Sequence, residues 1–128
     1  MNILFVYFDK IIQNDNLYVK SLCEEIRRQN GSVECSIDAF WNSPRKYDIV
    51  HIQFPEVIFK WRQPSDNGLK ALRQRIARLK SMGTKIVYTR HDAIPHYCTD
   101  KNKLELYRIV ETQSNAIIHL GEYSRQEF

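Results

Sequence analysis

Short apolar runs alternate with longer amphipathic segments along the sequence, and this alternation constrains the fold more than any other feature. Ile3–Phe8 is a continuous run of β-forming residues, which is typical of a strand buried on both faces of a parallel sheet. The later strands are predicted over Ser32–Phe40, Tyr47–Ile52, Lys85–Thr89 and Ala116–Leu120. The first of these later strands alternates apolar with polar residues, which indicates a more exposed strand near an edge of the sheet.

Amphipathic segments with helix-capping residues separate the predicted strands. Asn14 or Asp15 is suited to cap a first helix, because a short polar side chain can accept from the free N–H groups of the first turn. Ser65–Gly68 opens a second helix that Gly83 closes, and Asp100 is suited to cap a third. The apolar stripe of the second helix is Leu69, Leu72, Ile76 and Leu79.

Strands that alternate with helices are joined by crossover connections, so they lie parallel in one sheet. We therefore predict an α/β domain with a Rossmann-like three-layer α/β/α architecture and a five-stranded parallel sheet in the order 2-1-3-4-5. Residues 1–128 form a single domain in this prediction. Ser124–Glu127 has the S-x-x-E pattern of a helix start and only Phe128 follows it, so we expect a piece of a longer natural chain.

The composition is that of an ordinary globular domain, with 43% hydrophobic and 27% charged residues. The net charge of +4 suits acidic substrates, phosphates or an anionic membrane surface. No apolar run is long enough to span a bilayer, and the N-terminus lacks the pattern of a signal peptide. Three scattered cysteines argue against a disulfide framework. We expect a reduced cytoplasmic protein, with peripheral contact at the inner face of the cytoplasmic membrane left open.

Polar and aromatic residues follow three of the predicted strands at their carboxyl ends, where open parallel sheets bind their ligands. His91 is the strongest catalytic candidate there, because an imidazole exchanges protons near neutral pH. Asp92 or another acid such as Glu56 could orient the imidazole and raise its basicity. The three segments are Gln53–Glu56, Thr89–Tyr97 and Gly121–Ser124.

Several of these residues have alternative roles. His91 also suits a structural role in its loop, and His96 suits either contact with a ligand or support of the loop. His51 and His119 lie inside predicted strands, where a hydrogen-bonded core residue is the simpler interpretation. His91, Asp92, His96 and Cys98 lie within eight residues, but their spacing matches no common zinc template, so no metal is predicted. The sequence also lacks the glycine-rich loops that bind phosphates.

One basic and aromatic stretch and one basic helix raise a membrane hypothesis. Val57–Arg62 suits contact with a lipid interface or an apolar acceptor, and ordinary packing or burial against a second domain is the alternative. The helix over Lys70–Lys80 adds a run of basic side chains, which is also typical of a solvated helix face.

Three segments together resemble one family of enzymes. Tyr47–Glu56 reads YDIVHIQFPE and resembles the YDIVHIHWPE segment of many bacterial polysaccharide glycosyltransferases. Tyr88–His96 reads YTRHDAIPH and resembles their T-x-H-[ND]-x-x-P-H pattern, and Ala116–Ser124 resembles the strand and helix start that follow. Over nearly its whole length the chain therefore resembles the N-terminal domain of a GT-B, family 4-like glycosyltransferase.

The resemblance implies half of an enzyme of polysaccharide or glycoconjugate biosynthesis. In that family two Rossmann-like domains face each other across a cleft, and the N-terminal domain binds a saccharide or lipid-linked acceptor. The C-terminal domain of the same chain binds the nucleotide-sugar donor, and neither a cofactor, a metal nor nucleic acid is implied. His91 matches the histidine beside the reacting sugar, which implies a catalytic role. The strand-end positions and the resemblance together predict substrate-binding roles for Gln53, Glu56, Asp92, His96, Tyr123 and Ser124.

The match also has departures. Gln53 and Phe54 stand where His and Trp are commoner, and the first loop, Asp9–Asn16, contains no glycine. The donor-binding half is not part of these 128 residues, so we expect the isolated chain to be inactive. A non-catalytic, flavodoxin-like α/β binding module is the alternative function, followed by a small metal-dependent hydrolase that uses His91–Cys98.

Overall fold

Five strands form one parallel sheet in the order β2-β1-β3-β4-β5, which confirms the predicted α/β class and strand order. The structure is a computed structural model and describes residues 1–8, 17–30, 32–90 and 100–119. The strands are β1 (Ile3–Val6), β2 (Val33–Cys35), β3 (Ile49–Ile52), β4 (Lys85–Arg90) and β5 (Ala116–His119). The helices are α1 (Leu17–Asn30), α2 (Ile37–Asn42), α3 (Asp66–Ser81) and α4 (Lys101–Gln113), and a 3-10 helix covers Pro55–Phe59.

Strand β3 lies at the centre of the sheet, because it pairs in parallel with β1 on one side and with β4 on the other. Phe5 lies opposite His51 and His51 lies opposite Val87, so these three side chains share one face of the sheet. After β1 the chain adds β2 on one side of the sheet, and after β3 it adds β4 and β5 on the other side. The carboxyl ends of β1 and β3 therefore flank the switch point where doubly wound sheets bind ligands.

Helices pack on both faces of the sheet and complete the three layers. The larger core includes Leu4 of β1 together with Leu72 of α3 and Val110 of α4. On the other face of the sheet, Phe5 packs in a smaller core with Cys23 of α1. Adjacent residues of β1 thus contribute to different cores, as the alternation of side chains along a strand requires.

The helix boundaries follow caps that the sequence predicts. Ser65 Oγ accepts a hydrogen bond of 3.0 Å from the backbone N–H of Gly68, so Ser65–Gly68 opens α3 as predicted. Asp100 Oδ1 accepts bonds of 2.7 and 3.0 Å from two backbone N–H groups of α4. Gly83 follows α3 with a φ of 90°, a left-handed conformation that glycine adopts at little cost. The predicted caps of α1, Asn14 and Asp15, lie outside the described residues.

The predicted strand over Ser32–Phe40 is wrong beyond β2, because the chain turns into α2 directly after Ser36. Ser36 Oγ accepts a hydrogen bond of 2.9 Å from the backbone N–H of Ala39, so it satisfies a free donor at the start of the helix. Ile37 and Phe40 are both buried and lie three positions apart, on one face of this helix. The apolar positions of this helix happen to extend the alternating pattern of β2, although the chain here is helical.

Arg75 of α3 is not the solvated basic residue that the helix pattern suggests. Its guanidinium donates to the backbone oxygens of Phe40 and, at 3.0 Å, Ser43, at the C-terminal end of α2. Helix ends carry free carbonyl groups and partial negative charge, so a cation stabilises them. Burial lowers the pKa of this guanidinium. Arg73 in turn forms an ion pair of 2.7 Å with Glu105, which ties α3 to α4.

The apolar stripe of α3 generates a prediction about stability. Leu72 is fully buried in the larger core, so Leu72→Ala leaves a cavity and we expect it to lower the free energy of unfolding by about 2–5 kcal/mol. Urea unfolding followed by circular dichroism measures this loss. Gln74→Ala, at an exposed position of the same helix, is the control and should change stability by less than about 0.5 kcal/mol. Equal effects of the two substitutions would contradict the packing of α3.

Candidate functional site

The carboxyl end of β3 carries the two predicted site residues that the structure describes. Gln53 directly follows β3, and Glu56 lies in the 3-10 helix that comes next. The structure gives them different surroundings: Gln53 joins a buried polar network, and Glu56 lines a surface recess. The other predicted site residues, His91, Asp92, His96, Tyr123 and Ser124, lie outside the described residues.

The buried network consists of His51, Gln53 and Thr89, and it joins the carboxyl ends of β3 and β4. His51 Nε2 lies 2.7 Å from Thr89 Oγ1, and Gln53 Nε2 lies 3.1 Å from each of these two atoms. The amide of Gln53 has two N–H donors, so it can donate to both atoms when His51 Nε2 carries no proton. In this arrangement the hydroxyl of Thr89 also donates to His51 Nε2, so the two donors share the single lone pair of this nitrogen. The interpretation of His51 as a hydrogen-bonded core residue is confirmed.

Gln53 is almost fully buried, with only 1% of the residue exposed. Its amide nitrogen is engaged by His51 and Thr89, both of which are also buried. What the side chain does here is fix the position of the chain as it leaves β3. The position of the following segment, which includes Glu56, therefore depends on this anchor.

Glu56 lines a recess of about 160 Å³ between the end of the 3-10 helix and the first turns of α4. One carboxylate oxygen, Oε1, accepts a hydrogen bond of 2.6 Å from the hydroxyl of Tyr107, which fixes the carboxylate against α4. The carboxylate therefore faces the recess in a defined orientation. The full lining is Glu56, Trp61, Arg62, Gln63, Pro64, Lys103 and Leu106.

The backbone at the mouth of this recess is strained. Lys60 and Trp61 have φ angles of 55° and 64°, a left-handed conformation that costs residues with a side chain about 1–2 kcal/mol each. The backbone N–H of Trp61 donates to the oxygen of Glu56 at 3.0 Å, and this bond helps to hold the turn. Trp61 lies beside the recess, and 55% of it is exposed. Strain of this kind is concentrated at ligand-binding segments, so it supports a binding role for Trp61.

Charged groups line the same recess as the exposed indole ring. Arg62 and Lys103 line the recess together with Glu56, and within the described ranges neither cation has an ion-pair partner. The recess thus offers an aromatic surface, one oriented carboxylate and two available cations. Such a combination suits a small ligand that carries several hydroxyl groups, with or without a negative charge.

Arg90 is a buried charge that the sequence analysis does not single out. It ends β4, only 4% of it is exposed, and its Nε lies 3.6 Å from Oε1 of Glu111 on α4. The available signal was an arginine at the end of a run of buried β-forming residues. Strand β4 therefore ends in a buried, ion-paired arginine at the position directly before His91.

Metal binding and membrane crossing find no support in the part of the chain that the structure describes. Within those ranges no three His, Cys, Asp or Glu side chains are grouped so that they could hold a metal ion. The cluster His91–Cys98, which the sequence analysis considers for zinc, lies outside them. None of the described helices is both long enough and apolar enough to cross a bilayer.

Comparison with known proteins does not assign the chain to a family. No protein-family model matches it, and a search of curated proteins finds no significant match. The likeness of three segments to glycosyltransferases therefore stays a hypothesis.

The buried network yields a second prediction. Thr89→Val keeps the shape of the side chain but removes the hydroxyl that joins His51 to Gln53, so we expect a loss of about 1–3 kcal/mol in the free energy of unfolding. Urea unfolding provides the measurement. Thr112→Val removes the hydroxyl of an exposed threonine on α4 and is the matched control, with an expected change below about 0.5 kcal/mol. Unchanged stability in Thr89→Val would mean that the network does not hold β3 and β4 together.

Proposed function

We propose that this chain is the acceptor-binding half of a glycosyltransferase with the GT-B architecture. The reaction transfers a sugar from a nucleotide-sugar to a saccharide or lipid-linked acceptor, in polysaccharide or glycoconjugate biosynthesis. In this proposal a second domain of the same natural chain binds the donor, and no metal or cofactor takes part.

One observation carries the proposal: the recess lies just past the carboxyl end of β3, and Glu56 in its lining is the last residue of the segment that resembles the enzyme family. A doubly wound sheet binds ligands at this edge, and the strand order here is of that kind. The recess continues directly from Tyr47–Glu56, the first of the three similar segments. Sequence likeness and surface shape therefore point to the same edge of the sheet.

The lining of the recess suits a saccharide acceptor. The exposed indole of Trp61 offers a flat apolar surface on which the C–H face of a sugar ring packs, while its N–H remains able to donate. The carboxylate of Glu56 is held by Tyr107 and can accept hydrogen bonds from sugar hydroxyl groups. Arg62 and Lys103 supply donors around it. These groups orient the acceptor without taking part in bond breaking.

The chemistry of transfer requires three things from the complete enzyme. The acceptor oxygen forms a bond to the sugar carbon, the bond from that carbon to the diphosphate breaks, and the acceptor proton leaves. His91 assists beside the reacting sugar, where an imidazole can take or share a proton. Asp92, His96, Tyr123 and Ser124 contact substrate at the same edge. Holding the acceptor in place supplies a large part of the rate enhancement, and the donor-binding domain neutralises the diphosphate.

The proposal predicts the effect of removing the imidazole. In the protein expressed from its complete gene, His91→Ala should lower the rate of sugar transfer by about 10²–10⁴-fold, the range for a lost acid–base group. Transfer is measured with a panel of radiolabelled nucleotide-sugars and glycan or lipid-linked acceptors. The melting temperature should stay close to that of the wild type, which separates a chemical role from a structural one. Near wild-type turnover would remove His91 from the catalytic role.

A separate prediction concerns the recess. Trp61→Ala and Glu56→Gln should each raise KM for the acceptor about tenfold, equivalent to the loss of one good contact, with little change in KM for the nucleotide-sugar. Leu104→Ala is the control, because it removes an exposed apolar side chain of α4 that does not line the recess.

Two outcomes would contradict the proposal. If the acceptor KM is the same in Trp61→Ala, Glu56→Gln and Leu104→Ala, the recess is not the acceptor site. If the complete wild-type protein consumes no nucleotide-sugar but still binds a small ligand at this edge, the chain is a non-catalytic α/β binding module instead.

A further inference from the structure

Two cysteines that the sequence separates meet beneath the second strand. Cys23 lies on α1 and Cys35 ends β2, and their Sγ atoms are 2.9 Å apart. Both are thiols in this structure, and nothing in the proposed sugar transfer uses them. The sequence gives no sign of this contact, because it depends on the packing of α1 against β2.

The surroundings of the two sulfur atoms differ in a way that suits thiol chemistry. Cys35 is half-buried on an edge strand, so a small reagent has access to it, while Cys23 is only 3% exposed beneath it. The hydrogen bond from Cys35, and to a lesser extent the charge of Arg27, lower the pKa of the Cys23 thiol in spite of its burial. A thiolate is the nucleophile in disulfide exchange.

We propose that Cys23 and Cys35 form a thiol-oxidation site that closes to an intramolecular disulfide when the protein meets a low-molecular-weight disulfide. The geometry needs little change, because a disulfide bond is about 2.05 Å long and the two sulfur atoms already lie 2.9 Å apart. The site is independent of the proposed sugar transfer. In a reducing compartment the pair stays as two thiols, and oxidising conditions close it.

The reaction balances as two exchange steps. Cys35 gives up its proton and its sulfur attacks the small disulfide, which forms a mixed disulfide and releases one small thiolate. The thiolate of Cys23 then attacks the Cys35 sulfur and releases the second small thiolate. The two protons lost by the cysteines end on the two released thiolates. The protein has lost two electrons and two protons, and the reagent has gained them as two thiols.

The closed disulfide joins α1 covalently to the edge strand β2. Strand β2 is held by its hydrogen-bonded ladder with β1 and by its packing against α1. A link between residues 23 and 35 restricts the unfolded chain, so the oxidised protein should melt at a higher temperature. For a domain of this size we expect a rise of about 5 °C or more.

Oxidised glutathione is the probe for the experiment on the full chain. The expected product has lost the mass of two hydrogen atoms, and non-reducing tryptic mapping should show peptide 21–27 linked to peptide 29–45. The Cys98→Ser variant should give the same product, because Cys98 takes no part. In Cys23→Ser the second step is blocked, so Cys35 should accumulate as the glutathione mixed disulfide. Cys23→Ala provides the same test if serine at this buried position prevents folding.

The proposal is overturned by either of two results on folded protein. One is that oxidised glutathione leaves residues 23 and 35 as thiols while circular dichroism shows the native fold. The other is that the linked peptides contain Cys98 in place of Cys23 or Cys35. A melting temperature that does not rise on oxidation would contradict the expected effect of joining α1 to β2.

Discussion

The parallel pairing of β3 with β1 and β4 is the constraint on which the rest of the structure depends. These three strands run in the same direction, so their carboxyl ends lie side by side. The segments that follow the strands therefore leave the sheet close to one another. The network of His51, Gln53 and Thr89 reinforces this pairing at the end where the chain leaves β3. The position of the Glu56 recess, the buried charge of Arg90 and the proposed role of His91 all follow from that single arrangement.

Much of this fold could be predicted because its signals are local. The buried strands are short apolar runs, the starts of α3 and α4 are marked by Ser65 and Asp100, and alternation with helices implies parallel order. The start of α2 could not be predicted from alternation alone, because Ile37 occupies both the next apolar position of a strand and the first turn of a capped helix. There the side-chain cap decided between two patterns that fit equally well.

The features that escaped the sequence analysis depend on tertiary contacts. Arg75 looks like one more basic residue of an exposed helix, yet the end of α2 lies where its guanidinium can bind the free carbonyl groups. Cys23 and Cys35 are unremarkable in the sequence and meet only because α1 packs on β2. The recess beside Glu56 forms where Tyr107 brings α4 against the 3-10 helix, so neither segment predicts it alone.

The central claim is that ligand binding belongs to the carboxyl edge of the sheet, beside the end of β3. The most direct test is to titrate the chain with the acceptor saccharide that supports transfer and to follow its backbone amide and indole N–H signals by NMR. The account predicts shifted signals in residues 54–64 and 100–107, including the indole N–H of Trp61, which line or flank the recess. Shifts confined to the opposite edge, around Asn2, Asp48 and Lys85 where the strands begin, would contradict it.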